Sequence, residues 1–287
     1  MNKKTLINQN KYEDMKILTC LDQILRSSRQ KIFAMPKPKS SIIVLFSGGL
    51  DSIISTDMLL RKFKLKVFPL FINWGQMNLK QELRAVNYYE AYFKDKYPLN
   101  FMKVKKIKAN IPPSDLSKSV RNIVVLRNMN LAIYAVQYAK HIEEICHTKI
   151  RTIFCSSVFG DGAVVPDSTL TAIRSVNLAI CVNEQDFSWQ YTSLALEREI
   201  GNCLDKSDLL RYAHSVNFPY ENTWSCYRSS SPHCGACLPC IGRQHAFRVA
   251  KITDPTKYAQ TKRTLVRKML GRVKQIFKKI LAVIYTN

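Results

Sequence analysis

"FSGGLDSIIS", from Phe46 to Ser55, is the stretch on which the reading of this chain turns. It follows "SIIVL" (41–45), an apolar run suited to a buried strand, and leads into a segment of helical character. Gly48 and Gly49 permit backbone angles closed to other residues and let a ligand approach closely. The N–H groups that open the helix then form a concave donor site, which the helix dipole further favours for phosphate oxygens. Ser47 and Ser52 add hydroxyl donors, and Leu50 completes the turn. Asp51 would repel phosphate unless a Mg²⁺ ion lay between them. The turn therefore reads as a holder of a magnesium-bound polyphosphate. The lysine of a Walker A loop is absent.

Around this turn, strand and helix patterns alternate. "KVFPLFI" (66–72), "LNFMKVK" (99–105), "RTIFCSS" (151–157) and "WQYTSLAL" (189–196) read as strands, with Pro69 arguing for a bulge or an edge. Helical patterns run over 51–63, 79–97, 128–142, 169–183 and 206–216. This alternation predicts an α/β fold: a doubly wound, mostly parallel sheet with helices on both faces. Ligands of such sheets sit beyond the carboxyl ends of the strands, near the point where strand order reverses. Before the core, "MKILTCLDQILRSSRQKIF" (15–33) sets Ile17, Leu18, Leu21, Ile24 and Leu25 at helical spacing, and "MPKPKSS" (35–41) breaks it. Three parts are expected: a helical extension and linker over 1–40, a core over 41–250, and a basic tail over 251–287.

The 287 residues carry a net charge of +23. Residues 1–40 contribute +6 and residues 251–287 contribute +9, so the excess is concentrated outside the core. A balance of this sign suggests polyanionic partners. The sequence shows neither a signal peptide nor an apolar run long enough to span a bilayer, and the chain reads as cytoplasmic. Cysteines in that compartment stay unpaired, so clustered ones are expected to bind metal and scattered ones to fill the core.

The cluster lies in "TWSCYRSSSPHCGACLPCIGRQHAF" (223–247). Cys226, Cys234, Cys237 and Cys240 follow the spacing C-x7-C-x2-C-x2-C. Short gaps let a chain wrap one ion, and four thiolates saturate Zn²⁺, making the site structural. An iron–sulfur cluster is the alternative, and His233 could stand in for one thiolate. Cys20, Cys146, Cys155, Cys181 and Cys203 read as core residues.

Both anchors together resemble the 7-cyano-7-deazaguanine synthase (QueC) family of PP-loop ATP pyrophosphatases over about 41–250. The matching blocks are "SGGLDS", "NWGQ" (73–76), "RN" (127–128), "PD" (166–167), "DKSDLL" (205–210) and the cysteine block. The resemblance implies a carbon–nitrogen ligase that adenylates a 7-carboxy-7-deazaguanine-type acid with ATP. Pyrophosphate is released, and ammonia then gives an amide and finally a nitrile, a step of queuosine biosynthesis. It implies pyrophosphate held by Ser47, Gly48, Gly49, Leu50 and Ser52, and Mg²⁺ on Asp51. Arg127 and Lys206 would act with Asp51 in catalysis. Asn73, Trp74, Gly75, Gln76, Asn128 and Asp167 would contact adenine or substrate.

The chain departs from the family where acceptor residues are expected. "NWGQMN" stands for the family's "DYGQRH", Ser168 follows Asp167 in place of a cysteine, and Leu126 replaces a glycine before Arg127. The altered motif and the basic ends keep a protein amine open as acceptor, as for relatives in bacterial antiviral defence clusters, and the basic charge keeps open a tRNA-modifying PP-loop enzyme. The tail "KRTLVRKMLGRVKQIFKKILAVIY" (262–285) has one apolar and one basic helical face, suited to an anionic or protein partner. A homodimer is a further expectation.

Overall fold

The structure, a computed structural model, describes residues 13–109, 126–229 and 231–259. The tail reading at 262–285 lies outside them. The elements run in chain order as α1 (Met15–Arg29), β1 (Ser41–Leu45), α2 (Leu50–Arg61), β2 (Lys66–Asn73), α3 (Leu79–Lys96) and β3 (Lys105–Lys108), continuing with α4 (Arg127–Cys146), β4 (Thr152–Cys155), α5 (Leu170–Asn183), β5 (Gln190–Ser193), α6 (Lys206–Ser215) and α7 (Leu238–Ala250). Five parallel strands form one sheet in the order β3-β2-β1-β4-β5. The chain winds one way from β1 to β3 and the other way from β4 to β5, so the switch point lies between β1 and β4.

Side-chain alternation along the strands feeds two cores. Ile42 and Val44 of β1, with Val67 and Phe71 of β2, pack against α2, α3, α6 and α7. Ile43, Phe68, Leu70 and Ile72 face α4 and α5 on the opposite side. A sheet buried on both faces explains why β1 and β2 read as continuous apolar runs. The doubly wound α/β fold expected from the sequence is the fold observed.

Two strands differ from expectation, each for a local reason. Pro69 suggested an edge or a bulge, yet β2 lies inside the sheet and Pro69 pairs in register with Val44. Val67 and Asn73 direct their backbone groups toward β3, and Pro69 shares their parity. There its missing N–H meets no partner, because the neighbouring chain leaves the ladder between an isolated bridge at Phe101 and β3 proper at Lys105. That gap also displaces β3 from the expected 99–105. The N–H of Val104 donates to Glu90 Oε1 of α3 (3.0 Å) and is lost to the sheet.

Helix α1 buries Leu18 and Leu25 but leaves Ile17 and Ile24 exposed. It lies on α5, where Asp22 pairs with Arg174 (3.1 Å). Among the scattered cysteines, Cys155 and Cys181 are buried as expected, whereas Cys20 and Cys146 are exposed. Cys20 falls on the outward side of α1, and Cys146 ends α4.

Candidate functional site

The turn after β1 opens at the switch point. Gly48 adopts φ +77, and a Cβ there would lie 3.0 Å from both the Ala85 Cβ and the Glu82 carbonyl oxygen of α3. Glycine is required on both counts. Gly49 caps α2 with no side-chain hydrogen bond, which leaves the first-turn N–H groups available to an anion at the carboxyl edge of the sheet. The Ser47 and Ser52 hydroxyls lie 3.0 Å apart, and the Ser47 Oγ accepts from the Gly49 N–H (3.3 Å). The Leu50 side chain is buried in the core, so only its backbone can serve a ligand.

Asp51 and Lys206 meet across the site. Lys206 Nζ, at the first position of α6, lies 3.0 Å from Asp51 Oδ2 and 2.7 Å from Asp161 Oδ1. The α6 terminus is fixed by a reciprocal cap, in which Asp205 accepts from Ser207 N and Asp208 N while Asp208 accepts from Asp205 N. Burial favours loss of the Lys206 proton, but the charges of Asp51 and Asp161 outweigh it and hold the ammonium above its ordinary range. Burial raises the pKa of Asp51 despite Lys206 beside it. Asp51 Oδ1 is buried without any hydrogen-bond partner. A carboxylate oxygen left in that condition fits the oxygen donor set of Mg²⁺.

The blocks at 127–128 and 166–167 come together at the start of α4. The Asn128 N–H donates to Asp167 Oδ2 (3.2 Å), and Asn128 Nδ2 donates to the Asp167 carbonyl (3.0 Å) and to Ser168 Oγ (3.2 Å). The Arg127 guanidinium leans on Asn128 Oδ1 (3.3 Å), and Asp167 Oδ1 is buried without a partner.

The block at 73–76 folds back on itself. Asn73 Oδ1 accepts from Gly75 N (3.1 Å), Gln76 Oε1 accepts from Trp74 N (3.0 Å), and Gln76 Nε2 donates to Glu82 Oε2 (2.6 Å). Glu82 also accepts from Asn78 Nδ2 (3.0 Å). Burial raises the Glu82 pKa, while Gln76, Asn78 and the Arg127 charge act to lower it.

Cys226, Cys234, Cys237 and Cys240 bring their sulfurs within 4.8 Å of one another. Two pairs, Cys226–Cys237 and Cys234–Cys240, stand 3.9 and 4.0 Å apart. Tetrahedral zinc with bonds of about 2.3 Å spaces its sulfurs by about 3.8 Å. Backbone N–H groups of Arg228 and Cys234 point at Cys226 Sγ, and those of Ala236 and Cys237 at Cys234 Sγ. At Cys234 burial is outweighed by such donors, which lower the thiol pKa to about 7, whereas at Cys226 burial outweighs them and the pKa is raised. This four-sulfur set can hold a metal ion.

His233 does not belong to that set. Its Nε2 accepts from Ser225 N (3.2 Å) and its ring lies 3.9 Å from that of Trp224. Burial and the Arg243 charge lower its pKa to about 4, which keeps the imidazole neutral. The cysteine loop is joined directly to the glycine turn, since Trp224 N donates to the Gly48 carbonyl (3.0 Å).

Sequence reasoning missed Asp161, Glu82 and Asn78. Asp161 had a faint signal, as a carboxylate between Gly160 and Gly162 soon after β4. Glu82 sits in an amphipathic helix pattern that marks nothing special about it.

These features define a class: an α/β protein with an uncapped glycine turn at its switch point and a four-thiol set able to hold a metal ion. Residues 41–251 match the family described as Queuosine biosynthesis protein QueC, and the chain belongs to that family. It is similar to the 7-cyano-7-deazaguanine synthase of Methanosphaera stadtmanae, at 27% identity over 77% of this chain and 99% of that protein. The synthase of Persephonella marina is 28% identical over 76% of this chain and 97% of its own length. A solved structure, U34-tRNA thiolase NcsA from Methanococcus maripaludis, aligns over 82% of this chain and 72% of its own at 11% identity and a TM-score of 0.35.

Proposed function

We propose that this enzyme uses ATP to activate the carboxylate of a 7-carboxy-7-deazaguanine-type acid. A carboxylate oxygen attacks the α-phosphorus, the bond to the β-phosphate oxygen breaks, and pyrophosphate leaves. Ammonia then attacks the acyl carbon and AMP departs, giving the amide. A second activation of the amide oxygen by ATP, followed by loss of AMP and a proton, gives the nitrile. On this reading the enzyme is a carbon–nitrogen ligase. The observation that carries it is the turn at 47–52: uncapped N–H groups at the switch point, in a chain of the QueC family.

Placement supports the following roles. Ser47, Gly48, Gly49, Leu50 and Ser52 surround the departing pyrophosphate with N–H and O–H donors, so catalysis is chiefly positioning and charge neutralisation. Asp51 would hold Mg²⁺ through its unpartnered oxygen, and that ion would supply charge neutralisation on the phosphates. Lys206, kept protonated between Asp51 and Asp161, contributes a positive charge close to the reacting phosphate. Arg127 and Asn128 approach the acid with Asp167, and residues 73–76 wall the base pocket. The cysteine set would hold zinc as a structural ion. Its sulfurs lie closer together than the thiolates around a four-iron cluster.

The test is incubation with ATP, Mg²⁺ and 7-carboxy-7-deazaguanine, with and without ammonium, reading AMP, pyrophosphate and product mass. Acid-dependent AMP and a nitrile are expected. Acid-dependent AMP with a mass added to a protein would replace ammonia by a protein amine. Asp51→Ala should lower AMP release by about a hundredfold or more. AMP release at the wild-type rate would remove Asp51 from the site.

A further inference from the structure

Arg243, on α7, is 1% exposed. Its Nη1 donates to Thr223 Oγ1 (2.7 Å) and Ser225 Oγ (3.3 Å), and its Nε to Thr256 Oγ1 (2.7 Å). Phe247 covers one face of the guanidinium at 5.2 Å. The nearest carboxylate oxygen, Asp254 Oδ1, is 3.7 Å from Nε, and Asp254 is itself engaged by Thr256 N (2.9 Å) and the Tyr258 hydroxyl (2.6 Å). Nη2 is buried with no partner at all. A guanidinium stays charged inside a protein, and an incompletely paired buried charge is costly. A purely structural strut joining α7 to the cysteine loop and to the segment after α7 accounts for Nη1 and Nε but leaves Nη2 unexplained.

Its location supplies the explanation. Thr223 and Ser225 flank Trp224, whose N–H donates to the Gly48 carbonyl of the phosphate turn (3.0 Å). The Trp224 carbonyl oxygen would lie 3.6 Å from a Cβ on Gly49. Asp51 feels the positive charge of Arg243. The neighbourhood of the turn thus contains two buried unsatisfied atoms of opposite sign, Asp51 Oδ1 and Arg243 Nη2, that are not bonded to each other. A phosphate chain carrying a divalent cation satisfies both, with the cation at the carboxylate and a phosphate oxygen at the guanidinium.

We infer that Arg243 is a pyrophosphate-binding residue of this site, donating through Nη2 to an oxygen of the phosphate chain held by the turn at 47–52. The inference rests on the adenylation reading, in which pyrophosphate departs from that turn.

Calorimetric titration of the full chain with magnesium pyrophosphate tests it, comparing wild type with Arg243→Lys and measuring bound metal in both. Lysine keeps the charge but loses the planar fork. Pyrophosphate affinity should fall about tenfold with bound metal unchanged. Equal affinity in the two proteins overturns the role of Arg243 and leaves the adenylation reading standing. A wild-type protein that does not bind pyrophosphate overturns both. Where Arg243→Lys fails to fold, wild-type crystals soaked in magnesium pyrophosphate decide. A phosphate oxygen within hydrogen-bond distance of Nη2 upholds the role, whereas pyrophosphate at the turn with Nη2 still unpartnered overturns it.

Discussion

At Gly48 a left-handed backbone and a close neighbour coincide. The turn passes so near α3 that a Cβ would stand 3.0 Å from a backbone oxygen, which cannot swing aside as a side-chain tip can. Gly48→Ala should therefore destabilise the fold by about 1–3 kcal/mol, read as a lower urea midpoint. The variant should also bind pyrophosphate less tightly, because the amides it displaces are the proposed donors. The turn at Ser47–Ser52 was legible in the sequence because its glycines and hydroxyls are consecutive between a strand pattern and a helix pattern. Asp161 was not, since an isolated aspartate becomes informative only when a lysine 45 residues away is placed 2.7 Å from it. Arg243 was hidden for a similar reason, as one arginine on a helix whose unpaired nitrogen is visible only in three dimensions.

Among elements, the cysteine loop is hydrogen-bonded to the glycine turn and to the loop after β2. Trp224 bonds to Gly48, and the carbonyl of Cys226, a metal-ligand candidate, accepts from Asn78 Nδ2 of the 73–78 loop (2.9 Å). Removing a metal held by thiolates removes folding energy directly. Cys237→Ser should lose bound metal, lower the melting temperature and, through these hydrogen bonds, weaken pyrophosphate binding. Loss of metal with unchanged pyrophosphate affinity would show that the two sites are independent. The spacing C-x7-C-x2-C-x2-C was enough to find the four sulfurs, but it left His233 open. The fold excludes it by turning its ring nitrogen to Ser225 N. Pro69 teaches the converse lesson: the residue rule was sound, but the gap in the neighbouring strand that accommodates proline is a property of the sheet.

Across the whole molecule, a buried ion pair joins segments distant in sequence. Arg174 of α5 forms a two-pronged pair with Glu197 (2.9 and 2.7 Å), and Thr192 of β5 donates to the same carboxylate (2.5 Å). Asp22 of α1 meets Arg174 from the other side, so the extension before the core is tied in by charge as well as by Leu18 and Leu25. Glu197→Ala leaves a buried guanidinium largely unpaired and should cost about 3–5 kcal/mol. The double variant Arg174→Met with Glu197→Leu should lose less, because the two fully buried charges go together and only the partly exposed Asp22 is left without its partner. Equal losses, measured by urea unfolding, would mean that the pair contributes only packing.

The sequence by itself determined the α/β winding, the glycine turn between β1 and α2, and the four clustered thiols. Periodicity, glycine placement and short cysteine spacing are local, and local geometry follows from local chemistry. The side of the sheet each helix covers, and the order β3-β2-β1-β4-β5, came from the tertiary structure. It also brought Asp51, Lys206 and Asp161 together and left Arg243 with an unpaired nitrogen at the site. Those facts depend on contacts between residues far apart in the chain. Such contacts leave no periodic trace in the sequence, because each partner alone is an ordinary residue in an ordinary helix or loop.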